Sequence, residues 1–164
     1  MNGPVTAVCV LVALAAWVPV PGRAQAPAPA TVQAPGPSQQ FREVTSAAAV
    51  LYDGPSERST RLFIAVRGTP LEVVSTLNQW VKVRDLGGDV LWVQRSDLGE
   101  PRHVVASTLA AVRRRAQVNG ELLVQVERGV LLEVLDASAP AGWLRVRHRD
   151  GITGFVSADE VWGR

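Results

Sequence analysis

The chain has 164 residues, enough for one medium domain or two small ones. Apolar residues make up 47% and the formal charge is only +2, which excludes global disorder and argues against nucleic acid as the main partner, since phosphate binding needs a concentrated basic surface. Cys9 is the only cysteine, so the rest of the chain has no disulfide, thiolate metal ligand or cysteine nucleophile.

Val5 to Val20 is an almost unbroken apolar run, interrupted by Pro19 and followed by Pro21, Gly22, Arg23 and Ala24. This pattern predicts a secretory signal peptide over residues 1–24, with the small residues Gly22 and Ala24 preceding a cleavage ahead of Gln25. The expected location is the periplasm or the exterior, with no membrane span in the mature chain. The first four residues carry no Lys or Arg, and the run approaches the length of about 17 residues that a span needs. An uncleaved anchor is therefore the alternative. Residues 25–41 form the expected linker. Gln25 to Gln40 holds four prolines, no charge and no apolar period, a composition that predicts a semi-rigid spacer.

The remainder is an internal duplication. Arg67-Gly68-Thr69-Pro70-Leu71-Glu72-Val73-Val74 matches Arg128-Gly129-Val130-Leu131-Leu132-Glu133-Val134-Leu135. Trp80-Val81-Lys82-Val83-Arg84 matches Trp143-Leu144-Arg145-Val146-Arg147, Trp92-Val93 matches Phe155-Val156, and Asp97-Leu98 matches Glu160-Val161. The offset grows by two residues at one loop, where Ala137 to Gly142 is longer than the segment before Trp80. The match is loose across Leu62 to Val66, where Ile64 faces Gln125. Val81/Val83 and Leu144/Val146 alternate with charged residues, the period of a half-buried strand. Turn chemistry separates the runs at Asp53-Gly54-Pro55-Ser56, Asp85 to Asp89 and Asp150-Gly151. The Ala-rich stretch Ser107 to Arg115 has helical composition, but its counterpart Ser46 to Gly54 runs into a Gly-Pro turn, so both are read as strand and loop. Several short strands within about 60 residues predict a small barrel.

The order of these motifs resembles the bacterial SH3-like domain. The first unit has Gly54-Pro55-Ser56, Arg67 to Val73, Trp80 to Arg84, Trp92-Val93 and Asp97-Leu98, with Leu91 where a glycine usually precedes the aromatic. The second has Gly154-Phe155-Val156, and Arg114-Arg115-Ala116 in place of Gly-Pro-Ser. The fold expected is all-β: two tandem SH3-like barrels, at residues 42–99 and 101–164, after the signal peptide and linker. The resemblance implies a non-catalytic interaction module of the kind found in exported bacterial proteins.

Parity puts Trp80, Lys82 and Arg84 on one strand face, with Val81 and Val83 on the other; Trp143, Arg145 and Arg147 repeat the arrangement. With the valines inward, each unit would show an aromatic flanked by cations, suited to a peptide carrying a carboxylate. The plainer alternative is a tryptophan capping the barrel beside a solvated charged face. Tyr52, at the first turn, joins Trp80 and Trp92 as candidate lining of a groove for an extended peptide. Arg113, Arg114 and Arg115 form the densest charge run: an anion patch, or an exposed turn relieved by Glu121 and Glu127. Asp85 and Asp89 flank Leu-Gly-Gly and read as a hairpin turn; a calcium loop needs oxygens at closer, regular spacing. His103 and His148, the only histidines, sit beside arginines and are expected to be exposed. No metal site and no cofactor are expected.

The chain has no Gly-x-Ser-x-Gly elbow, no phosphate-cradling glycine loop and no His-Glu-x-x-His. A non-catalytic envelope binding role is therefore expected, toward a peptidoglycan peptide or a wall-associated protein. The alternatives are a structural subunit of a periplasmic complex and, more remotely, a hydrolase with an unrecognised site. The ligand and the oligomeric state are left open.

Overall fold

The computed structural model describes residues 40–140 and 142–164; the expected signal peptide and the expected linker up to residue 39 lie outside the described residues. The first unit contains β1 (Phe41–Val44), β2 (Ala48–Tyr52), β3 (Arg61–Val66), β4 (Pro70–Leu77), β5 (Trp80–Arg84), β6 (Val90–Gln94) and β7 (Leu98–Gly99), with a 3-10 turn at Arg95–Asp97. The second repeats it as β8 (His103–Ala106), β9 (Ala110–Arg113), β10 (Leu122–Val126), β11 (Leu131–Asp136), β12 (Trp143–Arg147), β13 (Thr153–Ser157) and β14 (Val161–Trp162), with a 3-10 turn at Ala158–Glu160. The strand orders are β3-β2-β6-β5-β4-β1-β7 and β10-β9-β13-β12-β11-β8-β14, the same permutation twice, with antiparallel pairing between neighbours. The fold is the expected all-β pair of SH3-like barrels. Among the described residues no helix is long and apolar enough to cross a membrane.

The duplicated pattern builds two duplicated cores. Val44, Leu71, Val83 and Val93 are fully buried in the first barrel, and Ala106, Leu132, Val146 and Val156 are fully buried at the matching positions of the second. Burial of each such valine or leucine stabilises by about 1.5–3 kcal/mol. The Ala-rich stretch forms β9 within a loop-rich segment, because Ala110 and Val112 face that core.

One boundary moves. Phe41, assigned above to the end of the linker, is already in β1: it lies opposite Glu72, and Val73 N donates to Gln40 O at 2.8 Å. The apolar ring is buried against Trp162 of the second barrel, edge-on with centroids 4.9 Å apart. Composition alone could not separate this residue from the glutamines before it.

The turns follow their residues. Asp85 Oδ1 accepts from Asp89 N at 2.9 Å, and Gly88 takes φ 94°, a conformation glycine adopts without steric cost. The Asp85 carboxylate is thus used to close the β5–β6 hairpin.

Candidate functional site

Alternation along β5 turns Val81 and Val83 into the first core and sends Trp80, Lys82 and Arg84 to the other face. On β6, Leu91 and Val93 face the core and Trp92 lies directly opposite Lys82. Tyr52, the last residue of β2, lies opposite Trp92 on its other side. The structure therefore brings together Tyr52, Trp80, Lys82 and Trp92, which are spread over 41 residues of sequence. The Tyr52 and Trp80 rings meet edge to face with centroids 5.3 Å apart, and both are buried, at 6% exposure. Lys82 Nζ stands 5.8 Å from the centre of the Trp92 ring, a cation–π contact. Trp92 and Lys82 are only partly buried and offer the accessible part of the cluster.

The loop between β2 and β3 is held against this face. Asp53 Oδ1 accepts from Thr60 N at 2.9 Å across the loop, and Gln94 Nε2 donates to Glu57 Oε1 at 2.8 Å. Arg84 differs from its neighbours in being engaged already: Nη1 donates to Glu72 Oε2, its cross-strand partner, at 2.8 Å. Its accessible charge is correspondingly offset.

The second barrel does not reproduce the cluster. Arg113 occupies the position of Tyr52, opposite Phe155, and its Nη1 donates to Gly120 O at 2.9 Å. Trp143 consequently has no tyrosine to close over it and remains partly exposed. Arg147 donates twice to Glu133 Oε2, at 2.9 and 2.6 Å, repeating the Arg84–Glu72 pair. Arg145 lies opposite Phe155 on one side and Asp136 on the other. The Asp136 carboxyl is held below its ordinary range, first by the Ser138 hydroxyl at 2.6 Å, then by the Ser138 amide at 2.8 Å, with Arg145 adding to the effect.

The arginine run divides. Arg113 is tied to Gly120, and Arg114 pairs with Glu121 at 2.8 Å. Arg115 has no ion pair among the described residues. With Arg114 it lines a small depression of about 260 Å³ in the loop before β10.

The histidines differ from expectation. His148 is buried, at 9% exposure, and His103 is partly buried. Both line a cavity of about 260 Å³ with Arg67, Leu131, Glu133 and Arg147, so residues of both barrels meet there. His103 occupies in β8 the position that Phe41 holds in β1, opposite Glu133 as Phe41 is opposite Glu72. Its surroundings are set by the meeting of the barrels, which neighbouring arginines in the sequence do not indicate.

Glu43 was not singled out by its sequence. Its carboxylate is buried, at 5% exposure. Oε2 accepts from Arg102 N at 2.6 Å and His103 N at 2.9 Å, and His103 Nδ1 lies 3.1 Å away. This fastens the connection between the barrels to the first of them. The only signal was a mismatch: Val105, also buried, stands at the corresponding place in β8.

Comparison with family models matches the bacterial SH3 domain twice, at residues 45–100 and 106–163, together more than half of the chain. No curated protein matches. Among solved structures the chain is similar to the structure of NlpC2 from Trichomonas vaginalis, at 16% identity and TM-score 0.36 over 77% of this chain and 49% of that one. It is also similar to the structure of NlpC1 from Trichomonas vaginalis, at 14% identity and TM-score 0.36 over 80% of this chain and 48% of that one. The chain thus spans about half the length of each.

Proposed function

Because the chain belongs to the bacterial SH3 domain family, we propose that it is a non-catalytic, exported binding module of the cell envelope, taking a peptidoglycan peptide or a segment of a wall-associated protein on its first barrel. The observation that carries this reading is the convergence of Tyr52, Trp80, Trp92 and Lys82 on one face. Aromatic rings supply rigid apolar area at low entropic cost, and a neighbouring ammonium suits a carboxylate. A binding role without catalysis rests on the sequence, which carries none of the common catalytic constellations. Export rests on the apolar segment before Gln25. The substitution of Arg113 for the tyrosine favours the first barrel over the second as the binding one.

The test is co-sedimentation of residues 25–164 with purified peptidoglycan sacculi at two salt concentrations. Trp92→Ala and Lys82→Ala are the suitable variants, because both side chains are accessible and their removal leaves the core intact. Trp80→Ala deletes a buried side chain and is expected to destabilise by about 3–5 kcal/mol. Binding that survives high salt and falls about tenfold in Trp92→Ala supports the reading. Binding that salt abolishes points to unspecific arginine electrostatics. Retention that both variants leave unchanged rules out the aromatic face.

A further inference from the structure

The first barrel exposes four large apolar side chains in β3, where the matching strand β10 of the second exposes only Leu122. In β3, Leu62, Phe63, Ile64 and Val66 are 46%, 51%, 71% and 57% exposed. Pairing with β2 places Val50 opposite Ile64 and Ala48 opposite Val66, on the side away from the buried Ala49–Ala65 pair. β3 is also the terminal strand in its sheet order, so among the described residues its second side has no strand partner.

The duplicate acts as an internal control. Ala110 and Val126 pair in the second barrel as Ala49 and Ala65 do in the first, which fixes the correspondence. Ile64 then corresponds to Gln125 and Val66 to Glu127, both exposed and polar. The same fold therefore forms with polar residues at these positions, and the apolar ones are not there for the core. A long apolar edge strand is a template for pairing with another chain, and proteins that do not use such an edge blunt it with charge.

The occupant can be chosen by charge. Arg61 and Arg67 bracket the strand, and Arg58 lies in the turn before it. A second copy paired antiparallel about Ile64 would set Arg61 of one chain against Arg67 of the other, a like-charge pair at each end. The chain's own residues 25–39 contain four prolines, which cannot donate to a ladder, and no carboxylate. We propose that β3 takes an extended segment of another protein, which adds as a β-strand with apolar side chains at alternate positions and a carboxylate near each end. β2 lies between this edge and Trp92, with Tyr52 paired to Arg61 on one side and to Trp92 on the other, and the proposal rests on the edge strand alone.

The probe is a synthetic peptide, Asp-Val-Thr-Val-Thr-Val-Asp, titrated into residues 25–164 with backbone amide resonances as readout. The expected result is saturable binding that shifts the amides of residues 61–67. It weakens about tenfold in the double variant I64Q/V66E, and likewise when both peptide aspartates are replaced by lysine. The double variant installs what the second barrel already carries, and its melting curve checks that the fold survives. No saturable binding up to millimolar peptide overturns the proposal, as does binding that I64Q/V66E leaves unchanged. A wild-type dimer in sedimentation that the double variant abolishes overturns the choice of occupant in favour of a second copy.

Discussion

Trp80 and Trp143 hold the same place in two copies of one module and end in different surroundings. Tyr52 closes over Trp80; Arg113, at the corresponding position, turns to the Gly120 carbonyl and leaves Trp143 partly exposed. The aromatic–cation pattern of both strands was legible from parity. Which tryptophan is covered was not, because the covering residue sits on another strand. The charged neighbours sort in the same way: Arg84 and Arg147 are engaged by Glu72 and Glu133, while Lys82 stands over Trp92. Asp136 offers a test at this scale. Ser138→Ala removes the hydroxyl donor that contributes most to its depressed pKa, so the carboxyl is expected to move up toward the ordinary aspartate value in a chemical-shift titration. A group whose pKa is lowered on folding stabilises above its unfolded-state pKa and ceases to do so as pH falls through the folded value. The stabilisation from Asp136 is therefore lost on the acid side, and the variant should show less of it.

Among the elements, strands and hairpin turns were the most legible, since a period of two and residues such as Asp-Gly act within a few positions. The segment from Leu62 to Val66 was where the two copies matched least, and it became the exposed edge of the first barrel. Gly154 and Leu91 show how one position finds two solutions. Leu91 fills the first core, whereas in the second barrel the neighbouring strand comes so close that a Cβ on Gly154 would lie 2.6 Å from Arg113 O and 2.7 Å from Val112 Cγ1. Gly154→Ala is therefore expected to destabilise by about 1–3 kcal/mol, because backbone must move to admit the methyl. A lowered urea midpoint checks this, and the mirror change Leu91→Ala should also lower it, by opening a cavity instead.

At the scale of the molecule, the barrels meet through residues that no local pattern marks. Phe41 packs on Trp162, His103 and His148 line one cavity, and Glu43 holds the amides of Arg102 and His103. Glu43→Ala leaves those amides without their acceptor and is expected to cost about 2–4 kcal/mol in denaturant unfolding, with Glu43→Gln costing less because an amide oxygen still accepts. A loss below about 0.5 kcal/mol would mean that the clamp contributes little to the joined structure.

The sequence by itself determined the strands, the turns, the duplication and the all-β barrel class, because each is written in residues a few positions apart and then written again. Tertiary structure alone decided which aromatics converge, which arginines are already paired, that His148 is buried and that Glu43 reaches the linker. Those outcomes depend on contacts between residues far apart in the chain, such as Glu43 with His103, and they form only when two sheets close and meet, a step that leaves no period in the sequence.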